Sequence, residues 1–408
     1  MSFFKQTINT VPIAGQTVLL RADYNVPLND DGTISDDFRI RASLPTVKKL
    51  LADNCKVVII SHLGRPEGRE AKYSLEPVAQ RLAELLGEPI RFVDQTIGDK
   101  VRMAVKRAPK RSVIVLENLR FDSREEANDD GFARELAHDS GTRYFVQDGF
   151  GVVHRAHAST SAITHQLPSV AGLLIEREYS TITRAMKSPK RPLVAVMGGA
   201  KVSDKISVIE AFVRVADTIV VAGAMANTFL AYKGVKMGAS VLETNQTEMI
   251  DKIYAAARAK VGDENVDSFI VLPTDLAVGK AIKADESRRN VATDQLQDDD
   301  IALDIGDASI ERLVEIVSDA KTVVWNGTLG YATLPEFAHG SARLALTLAT
   351  HPDITSIIGG GDTADFVLGW DSRGGDSFTH VSTGGGASIE LMAGEKLPGV
   401  ESLLDGRG

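Results

Sequence analysis

Arg39, His62, Arg65, Arg120, Arg155 and His157 are the cations of the first half of this chain that could share a task. Most follow apolar runs that read as strands, and Arg39 stands near the start of a helix. Alone, each would pass for a solvated loop residue. If the strands lie in one sheet, the cations converge on one cleft, and a chain of net charge -9 has little reason to gather unpaired cations unless an anion joins them. Arginine's planar fork matches phosphate and carboxylate oxygens two at a time, while Asp23 and Asn25 could accept and donate hydrogen bonds to a hydroxyl. A small phosphorylated hydroxy acid fits that set. His154 and His157 have near-helical spacing, but no further Cys or His cluster completes a zinc shell.

The second half is richer in glycine. The apolar run Leu193 to Met197 leads through Gly198-Gly199-Ala200-Lys201-Val202-Ser203-Asp204-Lys205 into a helical pattern beginning at Ile206. A buried strand turning through paired glycines into a helix leaves N–H groups free, and Lys201 and Lys205 are spaced one helical turn apart. This reads as an anion site, with an ordinary tight turn bearing surface lysines as the alternative. It is not a Walker A loop, because the terminal Gly-Lys-Ser/Thr is missing. Gly359 to Thr363 and Ser382 to Ser388 are glycine-rich strand ends that open onto helices, which suits a phosphate chain or a flat base. Asp362 there could meet a magnesium ion bridging phosphates, or could cap the helix.

The elements that must position these residues are strand-like runs at Val18 to Ala22, Lys56 to Ser61, Ser112 to Glu117, Arg143 to Gln147, Leu193 to Met197, Thr218 to Ala222, Ser268 to Pro273, Thr322 to Trp325 and Thr355 to Gly359. They are continuous in Val and Ile rather than alternating, as expected of parallel strands covered on both faces. In open parallel sheets ligands bind beyond the carboxyl ends of strands. Residues 166 to 187 read as a join between two halves, with a helix from Leu173 to Met186. Asp298-Asp299-Asp300 reads as a solvated loop.

At 408 residues, 43% hydrophobic and 25% charged, the chain has the length of two ordinary globular domains. Its acidity argues against nucleic acid as a partner. No apolar run is long enough for a signal peptide or a membrane span, so a cytoplasmic location is expected. The single cysteine, Cys55, opens a strand and is expected in the core. A nicotinamide-dependent dehydrogenase would need Gly-x-Gly-x-x-Gly after the first strand, and none occurs.

The blocks RADYNVPL (21–28), SHLGRP (61–66), ENLRF (117–121), GFGVVHRAHAS (149–159), GGAKVSDK (198–205), GGGDT (359–363) and STGGGASIELMAGEKLPGV (382–400) together resemble the phosphoglycerate kinase family over nearly the entire chain. The resemblance implies an α/β fold of two Rossmann-like domains, parallel sheets flanked by helices, joined by a hinge helix. Residues 1–170 would bind 3-phosphoglycerate, 171–187 form the interdomain helix, 188–393 bind nucleotide, and 394–408 return to the first domain. It implies that Asp23, Tyr24, Asn25, Arg39, His62, Leu63, Gly64, Arg65, Arg120 and Arg155 hold 3-phosphoglycerate or its acyl phosphate. Lys201, Lys205, Gly223, Asn326, Gly359, Gly360, Gly361, Asp362 and Thr363 would meet ADP or ATP, with Asp362 the ligand of Mg2+. Gly384 to Ala387 would offer N–H groups to the phosphoryl, and Arg39, Lys201, Lys205, Gly361 and Gly385 would carry the transfer. The chain is expected to act as a monomer on small molecules, with no membrane partner.

One region departs from the family pattern. After Trp325-Asn326-Gly327 the family usually has proline, an apolar residue, then Gly-Val-Phe-Glu, whose glutamate binds the nucleotide ribose; here Thr328 to Thr333 intervene and Thr333 replaces the carboxylate. Asp307 stands where the family usually has proline. Both changes are expected near adenine and ribose, with Glu336 as a substitute ribose partner. The implied mechanism is in-line transfer on domain closure. It needs no general base, because a carboxylate acceptor with pKa about 4 is already ionised at pH 7.

Overall fold

The computed structural model describes residues 3–406. Met1, Ser2, Arg407 and Gly408, at the ends of the expected first domain and tail, lie outside the described residues. The chain divides into two compact units, one of residues 1–180 with 396–408 and one of residues 181–395.

In the first unit the strands β1 (Thr17–Arg21), β2 (Lys56–Ile60), β3 (Ile90–Val93), β4 (Ser112–Leu116), β5 (Tyr144–Gln147) and β6 (Ser169–Ala171) form one parallel sheet in the order β3-β4-β2-β1-β5-β6. Side chains alternate between faces with period two, so each continuous apolar run feeds two cores. Val18, Leu20, Val57 and Ile59 enter one cluster; Leu19, Val58, Ile60 and Leu116 enter the other. Truncating such a residue, as in Leu20→Ala, costs about 2–5 kcal/mol. Cys55 is buried beside β2, where burial raises its thiol pKa.

Helices α1 (Phe38–Ala52), α2 (Glu76–Leu86), α3 (Asp99–Arg107) and α4 (Asp130–Ser140) cover this sheet. Asp129 caps α4 by accepting from Phe132 N at 2.7 Å, and Gly141 ends it in the left-handed region. Helix α5 (Leu173–Lys187) starts where Thr46 Oγ1 and Asp148 Oδ1 accept from Leu173 N and Leu174 N, both at 3.0 Å. The division between units falls inside it. The C-terminal residues belong to the first unit: Gly399 N donates to Val153 O, Leu404 N to Ser169 O, and Lys5 Nζ to Asp405 Oδ1 at 2.7 Å.

The second unit contains β7 (Leu193–Met197), α6 (Ile206–Val215), β8 (Thr218–Val221), α7 (Gly223–Tyr232), α8 (Thr247–Val261), α9 (Val266–Phe269) and β9 (Ile270–Val271). There follow β10 (Asp275–Gly279), β11 (Arg289–Ala292), β12 (Ile301–Ile305), α10 (Asp307–Ser318), β13 (Thr322–Asn326), α11 (His339–Thr350), β14 (Thr355–Gly359), α12 (Gly361–Trp370), β15 (His380–Val381), α13 (Gly385–Ala393) and, within the first unit, α14 (Pro398–Glu401). Its main sheet is parallel, in the order β15-β14-β13-β7-β8-β9.

Two expectations need correction here, and one small sheet lies beyond them. Strands β10, β11 and β12 form an additional antiparallel sheet with a bulge at Ala277/Val278. The strand expected from Ser268 is only Ile270–Val271, because Ser268 and Phe269 close a helical turn. Asp300 is not solvated: its carboxylate is buried, bonded by Lys280 Nζ at 2.8 Å, Arg289 Nη2 at 2.6 Å and Gln297 N at 2.9 Å, while Asp298 and Asp299 stay exposed.

Candidate functional site

Parallel strands deliver their following loops to one edge of a sheet. In the first unit the loops after β1, β2, β4 and β5 meet there, stitched by side-chain amides and backbone. Asn118, fully buried, accepts from Leu63 N and Arg120 N and donates to Leu63 O at 2.7 Å and Tyr73 O at 2.9 Å. Asn25 Oδ1 accepts from Gly64 N at 2.8 Å. Gly64 must lack a side chain, since its φ is +63° and a Cβ would strike the Tyr73 ring.

On this frame Arg39 Nη1 donates to Asp23 Oδ2 at 3.3 Å and Asn25 O at 3.0 Å. Arg120 Nη1 donates to Gly64 O at 2.6 Å and Nη2 pairs with Glu126 at 2.9 Å, while its Nε is buried without a partner. Burial holds the Arg120 pKa below its ordinary value, and the charges of Arg155 and Arg65 add to that effect, so these three guanidiniums are neighbours. Arg65 and Arg155 are exposed. His157 is pushed down to about 4 by burial and by Arg21, Arg120 and Arg155, and burial with Arg155 lowers His154. Such a surplus of cations, one with a buried unpaired donor, suits an anion with several oxygens.

Tyr24 and Leu63 do not bring side chains to this cluster. The Tyr24 ring is buried, its hydroxyl 2.9 Å from Ser43 Oγ, and Leu63 packs into the core. Three residues not singled out from sequence lie beneath the cations: Arg21, Glu125 and Ser159, all fully buried. Arg21 Nε donates to Ser159 Oγ at 2.8 Å, which donates to Glu125 Oε1 at 2.6 Å. A charged residue ending an apolar strand run was the signal for Arg21; nothing local marks its partners.

In the second unit the stretch 198–205 is an irregular turn, and α6 begins only at Ile206. The two lysines therefore do not share a helix. Lys201 is exposed, and the N–H groups of Val202 and Ser203 are taken by the Glu243 carboxylate. Lys205 is placed by strand ends: its Nζ donates to Gly198 O at 2.8 Å and Asn326 O at 3.1 Å. Burial brings its pKa down to about 8, against the opposing pull of Asp362 and Asp204. The Asn326 amide is buried with neither Oδ1 nor Nδ2 partnered, beside Gly359 and Gly360.

Helices α12 and α13 begin against each other, a Cβ on Gly385 lying 3.6 Å from Gly361 N. Gly360 precedes α12 at φ +91°, and Thr363 Oγ1 accepts from Gly327 N at 2.7 Å. Two adjoining helix N-termini concentrate unsatisfied N–H groups and positive dipole ends. Beside them is a cavity of about 590 Å3, walled by Gly199, Gly223, Leu276, Leu303, Thr328 to Thr333, Asp362 and Phe366. Gly223 offers a wall, not a donor, since its N–H bonds Leu329 O. Asp304 also lines it, accepting from Ile305 N and Gly340 N, and burial raises its pKa to about 7. Thr328 and Thr333 thus stand in the cavity wall, whereas Asp307 and Glu336 do not line it. Glu336 leaves one carboxylate oxygen buried and unpartnered instead.

An α/β chain with a cation cluster at one sheet edge, and paired helix N-termini beside a mostly apolar cavity at another, is of the class that handles phosphorylated metabolites and nucleotides. The phosphoglycerate kinase family profile matches residues 8–395. The chain is 42% identical over 402 residues to the phosphoglycerate kinase of Pelotomaculum thermopropionicum, covering 98% of this chain and 99% of that one. It is 42% identical over 395 residues to that of Dictyoglomus turgidum, covering 96% of each. Solved structures of phosphoglycerate kinase from Coxiella burnetii and Pyrococcus horikoshii superpose with TM-scores of 0.82 and 0.83 at 31% and 30% identity, each covering 98% of both chains. This chain belongs to the phosphoglycerate kinase family.

Proposed function

We propose that the chain performs its family's reaction, reversible phosphoryl transfer between 1,3-bisphosphoglycerate and ADP giving 3-phosphoglycerate and ATP, with each substrate on its own unit. The observation that carries the acid site is the buried, unpaired Arg120 Nε beside Arg65 and Arg155, with Arg120 and Arg39 both facing His62. Those guanidiniums and His62 would take the phosphate and carboxylate, with Asp23 and Asn25 near the hydroxyl. Tyr24, Leu63 and Gly64 would act through their backbone positions.

In the second unit the cavity would take the nucleoside, and Lys205 with the Gly361 and Gly385 N-termini the phosphates and the migrating group. Asn326, Gly359, Gly360 and Thr363 would shape that end, and exposed Lys201 would add charge. Asp362 is exposed in the first turn of α12, and no group of three or more metal-ligating side chains occurs among the described residues. That donor set suits Mg2+ arriving on the nucleotide, which needs one or two carboxylates plus phosphate oxygens rather than a protein cage. Mg2+ would supply neutralisation of phosphate charge. The acid carboxylate attacks already ionised, so fixed cations and N–H groups stabilise the equatorial oxygens without proton transfer. In-line transfer requires the two ligands to meet, so the reading includes domain closure as a step of the reaction.

No helix among the described residues is long and apolar enough to cross a membrane. A cytoplasmic monomer completes the reading, to be checked by fractionation and size-exclusion chromatography. A coupled assay with 3-phosphoglycerate, Mg2+ and ATP tests the activity: turnover supports it, while acid binding without turnover makes the chain a binding protein.

A further inference from the structure

We propose that Arg21 is a positioning residue that fixes His62 as its Nε2–H tautomer, so that His62 presents a neutral N–H donor to an oxygen of the bound acid. The role of the donor rests on the acid-site reading above; the tautomer does not.

The argument starts from what a guanidinium can do. It carries donors only, and Arg21 Nη2 lies 3.2 Å from His62 Nδ1, so that nitrogen must offer its lone pair. Arg21 has no freedom to turn away. It is fully buried, its Nε is held by Ser159 Oγ, its Nη1 donates to Ala22 O, and Glu125 anchors Ser159 through both the hydroxyl and the backbone N–H. The competing acceptor for a proton on Nδ1 would be Asp23 Oδ1, but it is 4.0 Å away and accepts from Asn25 N. The other tautomer would therefore trade an acceptor bond for a clash between donors.

The same surroundings exclude the doubly protonated ring. The charged and titratable groups facing His62 include Arg21, Arg120, Arg39 and His157, with the Asp23 carboxylate opposing them at 4.0 Å. Burial first, and then those charges, hold its pKa well below 6.5. Nε2 has no hydrogen-bond partner among the described residues and is not counted among their buried unpartnered atoms, so it is the ring's open position. His62 thus serves as a donor whose state does not change across the pH range in which an ordinary histidine titrates.

The test uses the whole protein carrying 15N-labelled histidine rings, read by two-bond proton–nitrogen correlation. The expected spectrum shows His62 protonated on Nε2 and bare on Nδ1 from about pH 5.5 to about pH 8. Adding 3-phosphoglycerate should then move the Nε2 signal. A proton on Nδ1, or a ring titrating near its ordinary value, overturns the proposal. A correct tautomer with no response at Nε2 to the acid overturns the donor role and the acid-site reading, leaving the tautomer standing.

Arg21→Met should bring the second tautomer into view. It should raise KM for 3-phosphoglycerate roughly threefold or more, with new pH dependence and little change in kcat. Arg21→Lys, whose ammonium also only donates, should keep the Nε2–H tautomer. A merely structural Arg21 would lower activity in both variants without altering the tautomer, and that result also overturns the proposal. If Arg21→Met does not fold, the wild-type spectrum decides.

Discussion

The cation cluster of the first unit and the cavity of the second, read as the acid and nucleotide sites, would solve one problem, holding phosphates in an acidic protein, by opposite means. The first unit uses side chains: Arg39, Arg120 and His62 are locked by Asp23, Asn25, Glu126 and the buried Arg21–Ser159–Glu125 chain. The second uses mainly backbone: helix N-termini at Gly361 and Gly385, glycine walls at Gly199 and Gly223, and one lysine steered by carbonyls. A side-chain site can be dismantled one group at a time. A backbone site fails when a glycine gains a side chain, and its few side chains then matter disproportionately.

The largest expected effect is at that one lysine. Lys205→Ala should lower turnover by roughly a hundred- to a thousandfold, because fixed charge at the migrating group is a large part of such catalysis. Next is Gly198→Ala, whose methyl would strike Thr328 O and come within 2.6 Å of Gly327 O. KM for magnesium-ADP should rise roughly ten- to a hundredfold while 3-phosphoglycerate binding is unchanged; steady-state kinetics in both substrates would read it. Smaller is Thr333→Glu, which returns to the cavity wall the carboxylate usual in the family. ADP should bind roughly three- to tenfold more tightly, and 2′,3′-dideoxy-ADP should not gain, as seen by calorimetry.

The smallest effect separates two buried aspartates, one in each unit, both raised to about 7 by burial. A folded-state value above the unfolded 3.8 means that each favours folding fully below that value, and the benefit is lost as pH rises through about 7. They differ in bonding. Asp148 Oδ2 has no partner, whereas the Asp304 carboxylate accepts from two backbone N–H groups. Asp148→Asn should therefore raise Tm by about 2–4 °C at pH 8, with the gain fading at pH 5. Asp304→Asn should not stabilise at pH 8, since an amide nitrogen would face a donor. Thermal scans at both pH values check this.

The same contrast explains what the sequence made legible. The central strands of both sheets read out directly because burial on two faces demands unbroken apolar runs, as in Val57 to Ile60. Edge strands β3, β6 and β15 are too short or too alternating to stand out, and half-exposed β11 begins with the exposed polar pair Arg289 and Asn290. The arginines were legible by type and place at strand ends. Glu125, Ser159 and Glu243 were not, because each acts through a partner at least 34 positions away in sequence. Tyr24 stands within a matching motif, yet its ring belongs to the core.

The central claim, two separately built sites that each hold one ligand, is tested most directly by calorimetry. 3-Phosphoglycerate and magnesium-ADP would be titrated in turn into the wild type, Arg39→Ala and Gly198→Ala. The wild type should bind both, Arg39→Ala should lose the acid and keep the nucleotide, and Gly198→Ala should do the reverse. Loss of both ligands in either folded variant, or of neither, would contradict it.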